Sequence, residues 1–223
     1  MCPTLSCTLE SYAVKTRAVT SDCYGSRMTG TALMSAVIAR ANRSWCLFLD
    51  RDGVVNARIM GGYVRSWSDF EFVPGALDAL RTLARWAPRI VVVTNQQGVG
   101  KGLMTENDLS HIHDRMLRAV AESGGRIDAV TSCIHLAEDR CDCRKPRTGM
   151  ARAYLDVNPE IDGSLSVMVG DTDSDVEMGR RLRVVTGGCA VFRISAIDDP
   201  LADGTYLSLA AFAAAIAPLL PSE

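Results

Sequence analysis

Short apolar runs that stop abruptly at polar residues recur along this chain, with helical periods between them. Trp45-Cys46-Leu47-Phe48-Leu49 runs into Asp50, and the β-branched run Ile90-Val91-Val92-Val93 runs into Thr94-Asn95. Runs of this length without polar alternation predict strands buried on both faces. Ile127 to Ile134, Leu165 to Val169 and Ala190 to Ile194 read the same way. Pro74 to Trp86, Glu106 to Ala121, Asp175 to Leu182 and Tyr206 to Leu220 carry the helical spacing. Strand and helix in alternation predict a doubly wound α/β domain, a parallel sheet with helices on both faces and no large cap domain. Ligands of such sheets bind beyond the carboxyl ends of the strands. Asp50, Thr94-Asn95, the Cys133–Cys143 segment and Asp171 each follow a predicted strand, so all four are expected at one edge of the sheet.

Composition narrows the partners. The chain has 223 residues, enough for one domain with a small insertion. Its net charge of -2 offers no global basic field for nucleic acid. No apolar run approaches the roughly 18–20 residues of a membrane span. Residues 1–44 are rich in Ser and Thr and lack a sustained period before Thr31, which predicts a weakly ordered N-terminal extension before a domain at 45–223. The N-terminus is read as lacking a secretory signal, and the cysteine pattern suits a reducing, cytoplasmic setting. The expectation is a monomer with no nucleic-acid or membrane partner.

Asp50 and Asp52 sit one residue apart at a strand end, where a pleat would aim both side chains to one side. Carboxylates that close repel unless a cation or a shared proton compensates. Asp171 supplies a third, and Asp173 and Asp175 follow. An oxygen-preferring cation, best Mg²⁺, fits this set. A strand-end aspartate beside such a cation can attack phosphorus, while the second aspartate protonates the leaving oxygen and later activates water. The transferring phosphoryl needs donors around it, and Thr94, Asn95 and Lys145 are suitable. Lys145 stands out because the chain has only three lysines, at 15, 101 and 145.

Cys133, His135, Cys141 and Cys143 form a second group. Three thiolates and an imidazole can close a tetrahedral Zn²⁺ shell with no open position, a structural site that stiffens the loop before Arg144-Lys145. His111 and His113 read as an exposed helical pair. Gly98 to Gly102 lacks the full phosphate-loop spacing and reads as a flexible loop.

Taken together, Phe48 to Asn56, Val92 to Gly98, Cys141 to Pro146 and Val169-Gly170-Asp171 resemble motifs of the haloacid dehalogenase superfamily of phosphohydrolases. More narrowly they resemble its D-glycero-D-manno-heptose 1,7-bisphosphate phosphatase group, which shares a branch with histidinol-phosphate phosphatase. The resemblance covers Trp45 to Ala190. It implies Asp50 as nucleophile and Mg²⁺ ligand, Asp52 as general acid/base with its carbonyl on the metal, and Asp171 as the remaining Mg²⁺ ligand. It implies phosphate binding by Thr94 and Asn95, with Gln96 and Gln97 of the same motif counted among substrate-binding positions. Lys145 would steady the phosphoryl group, Arg144 would bind substrate, and Gly62-Tyr63 would form a substrate-contacting flap. Cys133, His135, Cys141 and Cys143 would hold zinc.

The chain departs from the pattern at three places. The zinc loop between His135 and Cys141 is short, the flap is lengthened by Ala57 to Gly61, and Thr172 stands as a candidate substrate contact where the family often has lysine. The implied activity is hydrolysis of the 7-phosphate of a heptose 1,7-bisphosphate, for nucleotide-activated heptose synthesis. A second phosphate calls for a second anion site, for which Arg144 with Arg51 or Arg58 is the candidate. The rivals are a histidinol-phosphate phosphatase and a non-catalytic, zinc-stiffened module that binds phospho-ligands. A polynucleotide 3′-phosphatase is disfavoured by the absence of a basic stripe.

Overall fold

The computed structural model describes residues 44–220, so all but the last residue of the expected N-terminal extension lies outside the described residues. Strands β1 (Cys46–Leu49), β2 (Arg89–Asn95), β3 (Ala129–Cys133), β4 (Val167–Gly170), β5 (Ala190–Ile194) and β6 (Gly204–Tyr206) form one sheet in the order β3-β2-β1-β4-β5-β6. Every pairing is parallel. Helices α1 (Ala76–Trp86), α2 (Gln97–Gly100), α3 (Glu106–Glu122), α4 (Gly149–Val157), α5 (Asp173–Thr186) and α6 (Leu209–Ile216) complete the fold.

The pleat divides the core. Leu47, Leu49, Ile90, Val92 and Val169 face one layer, which packs on α1, α3 and α6 through Leu80, Leu83, Ile112, Met116 and Phe212. Cys46, Phe48, Val91, Val93 and Met168 face the other, which packs on α4 and α5 through Met150, Met178 and Leu182. Both faces of the sheet are therefore covered, as the unbroken apolar runs require. No helix among the described residues is long and apolar enough to cross a membrane.

The chain winds from β1 outward to β3, then returns to place β4 on the other side of β1. The connections diverge between β1 and β4, and a crevice opens there at the carboxyl ends. Asp50 and Asp171 flank it.

Two elements were not expected from the sequence. Helix α4 buries only Met150 and Ala151, so its apolar signal is thin. Strand β6 is a half-buried edge of three residues. The loop expected at Gly98–Gly102 opens instead as α2, in which Gly98 is buried. A Cβ on Gly98 would come within 3.2 Å of the Tyr63 ring, so this glycine lets the ring lie on the backbone.

Between β1 and α1 the chain makes a flap and no separate cap domain. Val54, Val55, Val64 and Phe70 pin its base into the core, while the tip from Ile59 to Gly62 is exposed.

Candidate active site

The floor of the crevice is a buried charge cluster. The Asp50 N–H donates to the Val169 carbonyl at 2.9 Å and ties the end of β1 to β4. Asp50 Oδ1 accepts from the Arg51 N–H at 2.7 Å. Lys145 Nζ lies 2.6 Å from Asp50 Oδ1 and 2.7 Å from Asp175 Oδ1, and donates to the Val93 carbonyl at 2.8 Å. Asn95 holds the backbone of that lysine: Asn95 Nδ2 donates to the Lys145 carbonyl at 3.2 Å and Asn95 Oδ1 accepts from the Lys145 N–H at 3.0 Å. One hydrogen of this amide is left for an anion.

Burial and then the Asp175 carboxylate push Asp50 up to about 7, against the pull of Lys145. Burial also opposes the charge on Asp175, but Lys145 and the Thr172 hydroxyl outweigh it and hold this carboxyl low. Of the two carboxylates that share the ammonium, Asp175 is the permanent anion and Asp50 the responsive one. Asp175, which in the sequence is only one more acid after Asp171, is fully buried.

Asp52 faces a different set. Strand β1 ends at Leu49, so a turn rather than a pleat directs residues 50 to 53. Gly53 has φ +96, and a Cβ there would collide with the Asp171 carboxylate, so glycine is required on both counts. Arg51 Nη2 donates to Asp52 Oδ1 at 2.9 Å and to Oδ2 at 3.1 Å. Asn56 Nδ2 donates to Oδ1 at 3.0 Å and Gln96 Nε2 to Oδ2 at 2.7 Å. Burial would raise the Asp52 carboxyl, but Arg51, Asn56 and Gln96 together hold it below the usual range.

Two expectations change here. Arg51 is fully buried, so it is no surface anion site. Gln96 also donates to Thr94 Oγ1 at 2.8 Å, so it orients Asp52 and Thr94 while lining the cavity beneath the flap. His111 and His113 are not a pair: His111 is exposed, whereas His113 is buried with Nε2 3.1 Å from Arg51 Nη1. The signal was in the helical period, because His113 falls in the apolar row of Leu109, Ile112 and Met116.

A cation fits between the two strand ends. The Arg58 guanidinium stands there: Nη2 donates to the Asp52 carbonyl at 2.7 Å and to Asp171 Oδ1 at 2.7 Å, and lies 3.6 Å from Asp50 Oδ2. Arg58 Nε adds a bond to Asp171 Oδ2 at 3.2 Å. These oxygens, two carboxylates and a backbone carbonyl, are the hard donor set that Mg²⁺ prefers. Oxygens of Asp50, Asp171 and Asp175 lie within 4.8 Å of one another. The residues present fit such an ion, and a guanidinium fills the same electrostatic role.

Above the floor lies a pocket of about 250 Å³ lined by Asp50, Asp52, Thr94, Asn95, Gln97, Lys145 and Thr172, with Arg58, Tyr63, Arg144 and Ser174 on its walls. A second cavity of about 280 Å³ opens beneath the flap, along Ile59 to Val64, and shares Asp52, Arg58, Tyr63 and Asn95 with the first. Gly62 lines only the second. Lys101 Nζ sits 5.4 Å from the Tyr63 ring centre. Arg144 Nη1 is buried without a hydrogen-bond partner among the described residues. The Thr172 hydroxyl donates to Asp175 Oδ2 at 2.6 Å, so this side chain braces the floor.

Beside the pocket, Cys133, His135, Cys141 and Cys143 gather their ligand atoms within 4.8 Å of one another. The Cys133–Cys141, Cys133–Cys143 and Cys141–Cys143 sulfur separations are 3.5, 3.2 and 3.3 Å, and His135 Nδ1 is 3.1 Å from the Cys143 sulfur. A tetrahedral ion with metal–sulfur bonds of about 2.3 Å would set such atoms roughly 3.5–3.8 Å apart. The four side chains could hold a metal ion, with spacings slightly shorter than such a shell would have. Burial and then the Cys133 and Cys141 sulfurs push Cys143 up to about 12, a cost that a bound cation removes.

Comparison with known proteins agrees with this geometry. Residues 48–183 match the family model described as polynucleotide kinase 3 phosphatase. The D-glycero-alpha-D-manno-heptose-1,7-bisphosphate 7-phosphatase of Mycobacterium tuberculosis is 46% identical over 181 residues, covering 81% of this chain and 95% of that protein. The D-glycero-beta-D-manno-heptose-1,7-bisphosphate 7-phosphatase of Haemophilus influenzae is 37% identical, over 60% of this chain and 74% of that one. The crystal structure of the D,D-heptose 1,7-bisphosphate phosphatase of B. bronchiseptica, complexed with magnesium and phosphate, superimposes with a TM-score of 0.68 at 32% identity, covering 78% of this chain and 99% of that one. The chain belongs to the polynucleotide kinase 3 phosphatase family within the haloacid dehalogenase superfamily, on the branch of the heptose bisphosphate phosphatases, and is a phosphoric monoester hydrolase.

Proposed function

We propose that this enzyme removes the 7-phosphate of D-glycero-α-D-manno-heptose 1,7-bisphosphate, in the synthesis of nucleotide-activated heptose. The observation that carries the chemistry is the division of labour at Asp50. Its Oδ1 lies against Lys145, and its Oδ2 faces the oxygen cradle that Arg58 fills. Oδ2 is therefore the oxygen for a cation, and Oδ1 the one that attacks phosphorus. The attack forms an aspartyl-phosphate, with Thr94, Asn95 and Lys145 donating to the phosphoryl oxygens. Asp52, ionised in the empty site, must first take up a proton as the substrate's negative charge enters beside it; it gives that proton to the departing 7-oxygen and recovers one from the water that opens the aspartyl-phosphate. Mg²⁺ held by Asp50, Asp171 and the Asp52 carbonyl would neutralise charge on the phosphoryl and keep Asp50 ionised.

The α-anomer is preferred because the relative at 46% identity is named for it, whereas those of Haemophilus influenzae, Bordetella bronchiseptica, Pasteurella multocida and Escherichia coli, at 35–38%, are named for the β-anomer. Arg144, whose Nη1 lacks a partner among the described residues, supports a second phosphate at the pocket wall. We assign a structural zinc to the thiol–imidazole shell, where it would fix the loop leading to Arg144 and Lys145. Among the described residues Cys46, Cys133, Cys141, Cys143 and Cys189 form no disulfide with one another, which supports a reducing, cytoplasmic setting, and we expect a monomer.

Phosphate release in the presence of Mg²⁺ should be fastest from the α-bisphosphate when compared with the β-anomer, histidinol phosphate and a 3′-phosphorylated oligonucleotide. Faster turnover of histidinol phosphate or the oligonucleotide would overturn the substrate. Metal analysis of the purified protein should find about one zinc per chain.

A further inference from the structure

Asp52 carries the proton in the reading above, yet it does not fix its own orientation. Its carboxylate lies edge-on to Arg51, whose Nη2 reaches both oxygens, and that guanidinium has no exposure to water. A buried guanidinium with only donors must find an acceptor for its other edge. The acceptor is His113, on the inward face of α3, with Nε2 3.1 Å from Nη1. Arg51 Nε has no hydrogen-bond partner among the described residues. The contacts at Nη1 and Nη2 therefore fix the angle at which the planar fork meets Asp52.

Because the arginine can only donate, His113 must present a bare Nε2 and keep its hydrogen on Nδ1. Burial and then the Arg51 charge push this imidazole down to about 3, in keeping with a neutral ring.

We propose that His113 is a positioning residue for the general acid/base: a neutral acceptor that locks Arg51, through which Asp52 is held toward the leaving oxygen. The proposal rests on the assignment of Asp52 made above. It extends the catalytic apparatus beyond the sheet edge, into a helix that does not line either cavity described above. Loss of the acceptor leaves a buried Nη1 unpaired, and Arg51 is then free to turn and take the Asp52 carboxylate with it.

The test uses the leaving group. A sugar phosphate expels an alkoxide that needs a proton, whereas 4-nitrophenyl phosphate expels a stable phenolate that needs little help. A fault in Asp52 positioning therefore lowers kcat/KM for the heptose bisphosphate more than for the aryl ester. General damage to the fold lowers both alike. His113→Leu should lower the ratio of the two kcat/KM values by about tenfold, a fraction of the roughly 10²–10⁴ that proton transfer supplies. His113→Gln, whose carbonyl can accept in place of Nε2, should restore the ratio to within about threefold of wild type. Inhibition by inorganic phosphate should be the same in all three proteins, because the phosphate donors are untouched.

Asp52→Asn is the reference. If it fails to change the ratio, the acid/base assignment falls and the proposal with it. If Asp52→Asn changes the ratio and His113→Leu does not, the proposal alone is overturned. Nitrogen chemical shifts of His113 in the wild-type protein give a reading that no variant has to survive. They should show an unprotonated Nε2 and a protonated Nδ1, and a protonated Nε2 overturns the proposal.

Discussion

On the floor of the pocket Asp50, Thr94, Lys145 and Asp175 are each no more than 4% exposed; Lys145 ties Asp50 to Asp175 across two strand ends, and Thr94 accepts from Gln96 at the end of its own strand. On the flap a few ångströms away, Met60 is 86% exposed and Ile59 is 40% exposed. The floor is built from the ends of buried strands, so its geometry is held by the whole core. The flap is held only at its base. On the roles proposed above, the reaction falls on the buried part and the reading of the sugar on the exposed part. Close relatives can then share a chemistry and differ in anomer.

The largest expected effect lies on the floor. Asp50→Asn removes the nucleophile and should lower turnover by roughly 10⁴-fold or more while the fold survives. Phosphate release and a thermal melt measure the two together. A variant that kept substantial turnover would move the attacking atom off the floor and erase the contrast.

Lys145→Met strikes the floor's stability as well. It leaves Asp50 and Asp175 facing each other without the ammonium between them, at a cost of about 3–5 kcal/mol in chemical unfolding at pH 7 or above. The deficit should shrink as the pH falls, because Asp50 is already pushed up to about 7 and takes a proton readily. A deficit independent of pH would mean that the two carboxylates do not share the lysine as the structure places it.

The floor was largely legible in the sequence, and the reason is physical. A buried strand is an unbroken apolar run, and its first polar residue marks the sheet edge, so Asp50, Thr94 and Asp171 could be placed without coordinates. Lys145 followed from its rarity and its motif. Contacts between elements were not legible. Nothing in the local sequence joins His113 to Arg51, 62 positions away, and the exposed reading of His113 ignored that residues two apart on a helix face nearly opposite ways. Asp175 was hidden for a similar reason, since an acidic residue in a first helical turn usually answers to the helix dipole. The flap was legible as extra length and, through the resemblance, at Gly62-Tyr63; the reach of Arg58 down to Asp171 was not.

A smaller effect probes what lies beneath the floor. His113 has a folded pKa pushed down to about 3 from the ordinary 6.5. Between these values the unfolded chain binds the proton and the folded chain does not, so this histidine's contribution is complete above pH 6.5 and is lost as the pH falls. Relative to His113→Gln, wild type should lose up to about 1.4 kcal/mol of stability per pH unit on the acid side of 6.5. Urea unfolding of both proteins at pH 7, 6 and 5 measures the difference. Parallel losses would show that His113 charges freely in the folded protein and that water reaches beneath the floor.

The smallest effect concerns the residue that joins the two regions. Arg58 belongs to the flap by sequence but reaches down to the Asp52 carbonyl and both oxygens of Asp171. Its side chain is 38% exposed, so it can leave without opening the core. A tethered guanidinium in a cation cradle competes with a free divalent ion for the same oxygens, and binding of one requires departure of the other. Arg58→Gln removes the competing charge, so Mg²⁺ should bind the substrate-free variant several-fold to about tenfold more tightly by calorimetry, a difference of at most about 1.4 kcal/mol. The metal-free variant should also melt lower than wild type, because Asp50 and Asp171 lose the guanidinium that compensates them on that side. If Mg²⁺ binds both proteins equally, Arg58 does not occupy the cradle in solution, and the flap stands apart from the floor. If affinity rises as expected, then loading the metal frees a positive charge into the wall shared by both cavities. The buried chemistry and the exposed reading of substrate are then coupled through this single side chain.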